Sequence, residues 1–177
     1  FPSSINKLYS ESLNSIYIAG DYGLLAHYNG SEWRKIMTSP LVQTMRIFDI
    51  WSYKGTDYVL AVASNFPQGN TSVLIKINKN TLHTEEIFPE TAGKSVISCW
   101  FLNNKKTFLS GGGIFQSSNL RGIWSRFPSD QLTYKLRIRG TSLNEVYATD
   151  GFGYLSYFNG IRVRDIEYSP AEGNQYS

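Results

Sequence analysis

Residues 12–36 read SLNSIYIAGDYGLLAHYNGSEWRKI, and residues 142–166 read SLNEVYATDGFGYLSYFNGIRVRDI. The two align without a gap at an offset of 130, with 10 of 25 positions identical. The shared positions include Leu13/Leu143, Asn14/Asn144, Tyr17/Tyr147, Gly23/Gly153, Leu25/Leu155 and Asn29-Gly30/Asn159-Gly160. That offset is three units of roughly 43 residues, the length of a four-stranded propeller blade. Two degenerate copies fit between, from Arg46 to Phe88 and from Val96 to Phe127. In the second, TFLSGGGIFQSS (107–118) fits IYIAGDYGLLAH (16–27) at an offset of 91.

Within a unit the pattern is that of strands. Residues 15–20 are short, β-branched and aromatic, Asp21-Tyr22-Gly23 turns the chain, and 24–28 follow. Asn29-Gly30 then signals a type I′ hairpin, which needs positive φ at both central residues, and Asn159-Gly160 repeats it. No window of 11 residues holds a helical period. The expected strands lie near 5–9, 15–20, 24–28 and 33–37 in the first unit, and near 135–139, 145–149, 154–158 and 162–167 in the last. The fold class is therefore all-β: a β-propeller of about four four-stranded antiparallel blades, near 5–37, 45–88, 95–127 and 135–167. Residues 169–177 read as a polar tail or linker. The chain opens Phe1-Pro2-Ser3-Ser4, without an initiator Met or a signal peptide, so the expectation is a processed product, an excised piece or part of a longer chain such as a larger propeller.

Composition narrows the function. With 41% hydrophobic, 15% aromatic and 18% charged residues, the chain can build a core and does not read as disordered. It has no apolar run long enough to span a membrane, and a net charge of +3 is too weak to argue for nucleic acid. Cys99 is the only cysteine, and His27 and His83 are far apart in the repeat, so neither a metal site nor a Cys–His pair is expected. His27 aligns with Tyr157, which marks a half-buried sheet position. Asp21 and Asp150 flank equivalent turns and Asp49 lies on an inner strand, but turn chemistry alone explains an Asp beside Gly. Gly111-Gly112-Gly113 joins two strands with no helix to follow, so it reads as a tight turn and not a phosphate loop. No catalytic residue and no cofactor is assigned.

The candidate ligand-binding residues are basic and aromatic. Lys135, Arg137 and Arg139 occupy alternate positions of one strand, which would project all three from one face toward the channel and an anionic partner. Pairing with acidic groups on adjacent blades is the competing expectation. Tyr22 and Phe152 fall in equivalent turns, and Trp51 and Trp100 follow equivalent inner strands. Flat rings there suit a glycan or a protein surface, although core packing accounts for much of the aromatic set.

The pattern SLN-x-hydrophobic-Tyr, Gly-x-Leu, Asn-Gly, Trp/Val-x-Arg-x-Ile resembles the BNR/Asp-box-like β-propeller repeats of secreted bacterial proteins. It is also similar to the repeats of photosystem II assembly-factor-like propellers. The strict Asp-box, Ser-x-Asp-x-Gly-x-x-Trp, is not matched: Tyr28-Asn29-Gly30-Ser31-Glu32-Trp33 lacks the Asp, and the last unit carries Val163 in place of the Trp. The resemblance implies six to eight blades in a complete ring and an extracellular or periplasmic location. The sialidase arginine triad draws on different blades, so that role does not transfer to Lys135, Arg137 and Arg139.

The expected function is a non-catalytic binding or scaffold module that recognises a glycan or a protein through blade-end loops. A fragment of a propeller glycoside hydrolase or lyase is the alternative, and would need paired carboxylates at the channel mouth. A structural subunit of a surface assembly is a third reading, since an incomplete propeller leaves edges that a second copy or the remaining blades of a longer chain would cover.

Overall fold

The computed structural model describes residues 3–102, 105–128 and 134–167; the expected tail at 169–177 lies outside them. Blade 1 comprises β1 (Ile5–Ser12), β2 (Ser15–Gly20), β3 (Leu25–Tyr28) and β4 (Trp33–Lys35). Blade 2 comprises β5 (Arg46–Trp51), β6 (Tyr58–Ser64), β7 (Ser72–Asn78) and β8 (Thr84–Ile87). Blade 3 comprises β9 (Val96–Leu102), β10 (Lys106–Gly111), β11 (Ile114–Ser117) and β12 (Ser125–Arg126). Blade 4 comprises β13 (Lys135–Ser142), β14 (Glu145–Asp150), β15 (Tyr154–Phe158) and β16 (Val163–Glu167). Each blade is an antiparallel meander in chain order. The described residues contain no α-helix, only a 3-10 turn at Val42–Thr44.

The strands of blade 2 read as continuous apolar runs because both of its faces are covered. All seven residues of β6 are buried. Val59, Ala61 and Ala63 join Tyr17, Ala19 and Leu25 in the seam with blade 1. Leu60 and Val62 join Cys99, Phe101 and Leu109 in the seam with blade 3. Trp100, Phe108 and Ile114 meet Ile138, Val146 and Phe158 in the third seam. The inner strands pack in sequence, β1 on β5, β5 on β9 and β9 on β13. No comparable packing joins β13 to β1 among the described residues, so the blades form an open arc.

Every inner strand carries a β-bulge near its start. Pairing slips between Ile5 and Lys7, between Ile47 and Asp49, between Val96 and Ser98, and between Lys135 and Arg137. An inserted residue reverses which face the preceding side chain takes. Strict alternation therefore fails in β13: Lys135 is buried between blades 3 and 4, and Arg137 is exposed on the opposite face. The three basic residues do not share one face.

The Asn-Gly turns also differ from expectation. Gly30 has φ +97 and Gly160 has φ +91, but neither Asn is left-handed, so these are not type I′ turns. The loop has four residues, and Asn29 closes it with its side chain, whose Oδ1 accepts from the Ser31 and Glu32 N–H groups, both at 3.0 Å. Asn159 does the same for Ile161 and Arg162. A Cβ on Gly30 would lie 2.9 Å from the Asn14 side chain, and one on Gly160 would press into Asn144. That close approach explains why Asn14 and Gly30 recur together as Asn144 and Gly160. The offset of 91 holds through β10, where Phe108 stands in for Tyr17; the turn joining the second and third strands of the blade (the b–c turn) is then two residues shorter, so Ile114 takes the place of Leu25.

Candidate binding face at the blade-end loops

The inner strands converge on Asp49, whose side chain is fully buried. Its carboxylate accepts from Arg139 Nη2 at 2.8 Å and Nη1 at 2.9 Å, from Ser98 Oγ at 2.5 Å and from the Cys99 N–H at 3.2 Å. Lys7 Nζ lies 3.7 Å away. Blades 1, 3 and 4 thus each send a group to the carboxylate that blade 2 supplies. Partial burial holds the Lys7 ammonium below its ordinary pKa; Asp49 opposes that shift, and the like charges of Arg139 and Arg137 add to it. Arg139 also stacks 4.9 Å above the Trp51 ring, whose indole N–H donates to the Phe101 carbonyl at 3.0 Å. Two cations thus share one carboxylate at the axis, and the acid that Arg139 meets lies two blades away, not on an adjacent blade as expected.

Lys135 makes a second knot. Its ammonium lies 3.5 Å from Asp150 Oδ2 and 3.4 Å from Asp165 Oδ1, and all three side chains are at most 4% exposed. The Ser156 hydroxyl donates to Asp165. Lys135 and Trp100, each 1% exposed, therefore have no surface to offer a ligand. Sequence alternation could not show this, because the bulge that turns Lys135 inward leaves no mark in residue type. Trp51 is half-buried in a seam rather than set in a loop. Arg137 remains exposed at the open edge of the arc.

The remaining candidates stand at the end of the blades where the inner strands begin. Tyr22 and Phe152 are each 76% exposed in the b–c turns of blades 1 and 4. Tyr22 has φ +55, a left-handed conformation that a bulky residue adopts only when its surroundings impose it. The Gly23 N–H donates to the Met45 carbonyl at 2.9 Å, and a Cβ on Gly23 would lie 2.8 Å from the Val42 carbonyl oxygen. That contact pins the turn and holds the Tyr22 ring out over a hollow of about 270 Å³ between blades 1 and 2. Asp21, on its rim, is held by Arg46 at 2.7 Å and Asn6 at 2.8 Å.

A second hollow of about 460 Å³ continues from the first, separated from it by Phe66-Pro67. It is lined by Asn70, Lys94, Arg126 and Tyr134. Phe66 stacks on Tyr134 at 4.3 Å, and the Tyr134 hydroxyl is hydrogen-bonded to Ser95 Oγ at 2.7 Å. Burial raises the Tyr134 pKa. Lys94 and Arg126 have no carboxylate within ion-pair distance among the described residues. Sequence reasoning missed Phe66, Lys94, Arg126 and Tyr134; the only local signal was their place at one end of the strands, Arg126 at the end of β12 and the other three in connections.

The carboxylates named from sequence are not paired across a cleft. Asp21 of blade 1 is tied to Arg46 of blade 2, Asp49 lies at the axis, and Asp150 accepts from the Phe152 and Tyr154 N–H groups at the far end of the arc. His27 is half-buried, its ring tilted 33° against that of Tyr17 with centroids 4.4 Å apart. No cluster of three or more His, Cys, Asp or Glu is placed to hold a metal ion among the described residues. No helix among them is long and apolar enough to cross a membrane.

The arc superimposes on YCF48 bound to a D1 peptide with a TM-score of 0.71 at 12% identity, covering 96% of this chain and 55% of that one. YCF48 from Cyanidioschyzon merolae gives 0.70 at 12% identity, with 97% and 59% covered. The computationally designed Ika8 protein gives 0.64 at 13% identity, with 99% and 51% covered. An ancestral GH74 enzyme gives 0.66 at 15% identity, with 96% and 24% covered. These likenesses show a propeller fold, of which the described residues form four blades. The chain spans about half the length of the first three structures. No family model matches the sequence, and no curated protein matches it.

Proposed function

We propose that this chain is a non-catalytic recognition module that holds an extended protein segment along the blade-end face. Tyr22 carries the reading, because the tight left-handed turn that it shares with Gly23 holds its ring in solvent at the rim of the first hollow. The two hollows run on from it past Phe66-Pro67 to Tyr134, which suits a chain lying across blades rather than a compact small molecule. Exposed aromatic rings bury area at little entropic cost, and Lys94 and Arg126 favour a segment bearing acidic side chains. A structurally similar protein, YCF48, is described bound to a D1 peptide, which supports a protein ligand over a glycan. Display selection from a random peptide library tests the reading. The chain should enrich acidic, aromatic-containing peptides, and a variant combining Tyr22→Ala with Lys94→Glu should lose them. Equal enrichment by that variant refutes it.

A further inference from the structure

Residues that the three seams bury are left bare at the two ends of the arc. Ile50, Cys99 and Ile138 occupy one structural position in blades 2, 3 and 4 and are fully buried, whereas the corresponding Leu8 of blade 1 is 59% exposed. Ile47 and Val96 are likewise buried, and the corresponding Ile5 is 54% exposed. At the other end, Tyr17, Leu60 and Phe108 are buried while the corresponding Tyr147 is only half-buried. Leu25, Leu74 and Ile114 are buried, but Leu155 is not.

The two bare faces also match each other. Tyr17 and Leu25 of blade 1 pack in one core with Ile47, Ile50 and Val59 of blade 2. Blade 4 presents the same residue types, Tyr147 and Leu155, at the same positions. Blade 1 presents Ile5, Leu8 and Ile16 at the positions of Ile47, Ile50 and Val59. Setting blade 4 against the open face of blade 1 thus repeats the first seam nearly residue for residue.

We infer that a second copy of this chain covers both ends, the blade 4 face of each copy seating on the blade 1 face of the other. Such head-to-tail contacts close into a ring when each arc sweeps half a turn, and run on as a filament when it does not.

Light scattering on the 177-residue chain tests this. The expected particle has twice the mass of the 20.0 kDa chain. Leu8→Glu and Leu155→Arg, each with an unchanged far-UV circular dichroism spectrum, should each give single chains. Mixing them should restore the two-chain particle, because one seam stays native and the other sets Glu against Arg. Single-chain mass for the native protein up to its solubility limit overturns the inference, as do open-ended polymers, or a two-chain particle that survives Leu8→Glu.

Discussion

Arg139 grips both oxygens of Asp49 from 90 residues away, and the pair ties blade 4 to blade 2 across the inner strand of blade 3. A buried carboxylate with its cations matched costs little, but one stripped of a partner costs several kcal/mol. Asp49→Ala strands Arg139 and Lys7 and should destabilise the fold by about 3–5 kcal/mol in urea unfolding. The double replacement Asp49→Leu with Arg139→Met removes both charges and should recover most of that loss. A double mutant no more stable than Asp49→Ala would mean that the pair does not act as a unit.

The Lys135 knot makes a separate prediction for the last seam. Lys135→Met keeps much of the volume but removes the ammonium that Asp150 and Asp165 share, a loss of about 3–5 kcal/mol. Amide hydrogen exchange should quicken in β13–β16 before blade 2. An equal increase in all blades would place the cost elsewhere.

Tyr22 should trade stability for binding. Its φ of +55 is easy for glycine and strained for tyrosine. Tyr22→Gly should unfold at or above the wild-type urea midpoint, by up to about 1 kcal/mol, while losing affinity for the selected peptides. A variant that is less stable and binds equally well would make Tyr22 a structural residue.

Alkaline pH should weaken the fold through two phenols. Burial pushes Tyr17 and Tyr58 up to about 12 from the ordinary value of 10. The unfolded chain ionises them first, so their contribution is intact below pH 10 and is lost as pH rises toward 12. Tyr58→Phe should flatten that decline. On the acid side, burial lowers His27 below 6.5, so stability should fall as pH drops below that value, and less in His27→Gln. Urea midpoints across pH measure both.

The blade plan was legible because short-range chemistry repeats it: Asn14 needs a glycine at Gly30, and the pair returns as Asn144 and Gly160. The orientation of Lys135 and Arg137 was not legible. A bulge adds one residue without a distinctive side chain, and period-two reasoning then assigns the wrong face. Tyr22 could be found from its turn. Phe66 and Tyr134 could not, because their stacking depends on how blades 2 and 4 approach over blade 3. The Asp49 knot was anticipated only as a general pairing of basic residues with neighbouring acids; which carboxylate serves depends on the curvature of the arc.

The most direct measurement of the binding face is a backbone-amide NMR titration with one peptide from the library selection. Shift changes should cluster at Tyr22, Arg46, Phe66, Lys94, Gly112 and Tyr134, along one end of the blades. Changes centred on the outer strands β4, β8 and β16, or on the opposite loops near Lys54 and Lys79, would contradict the account.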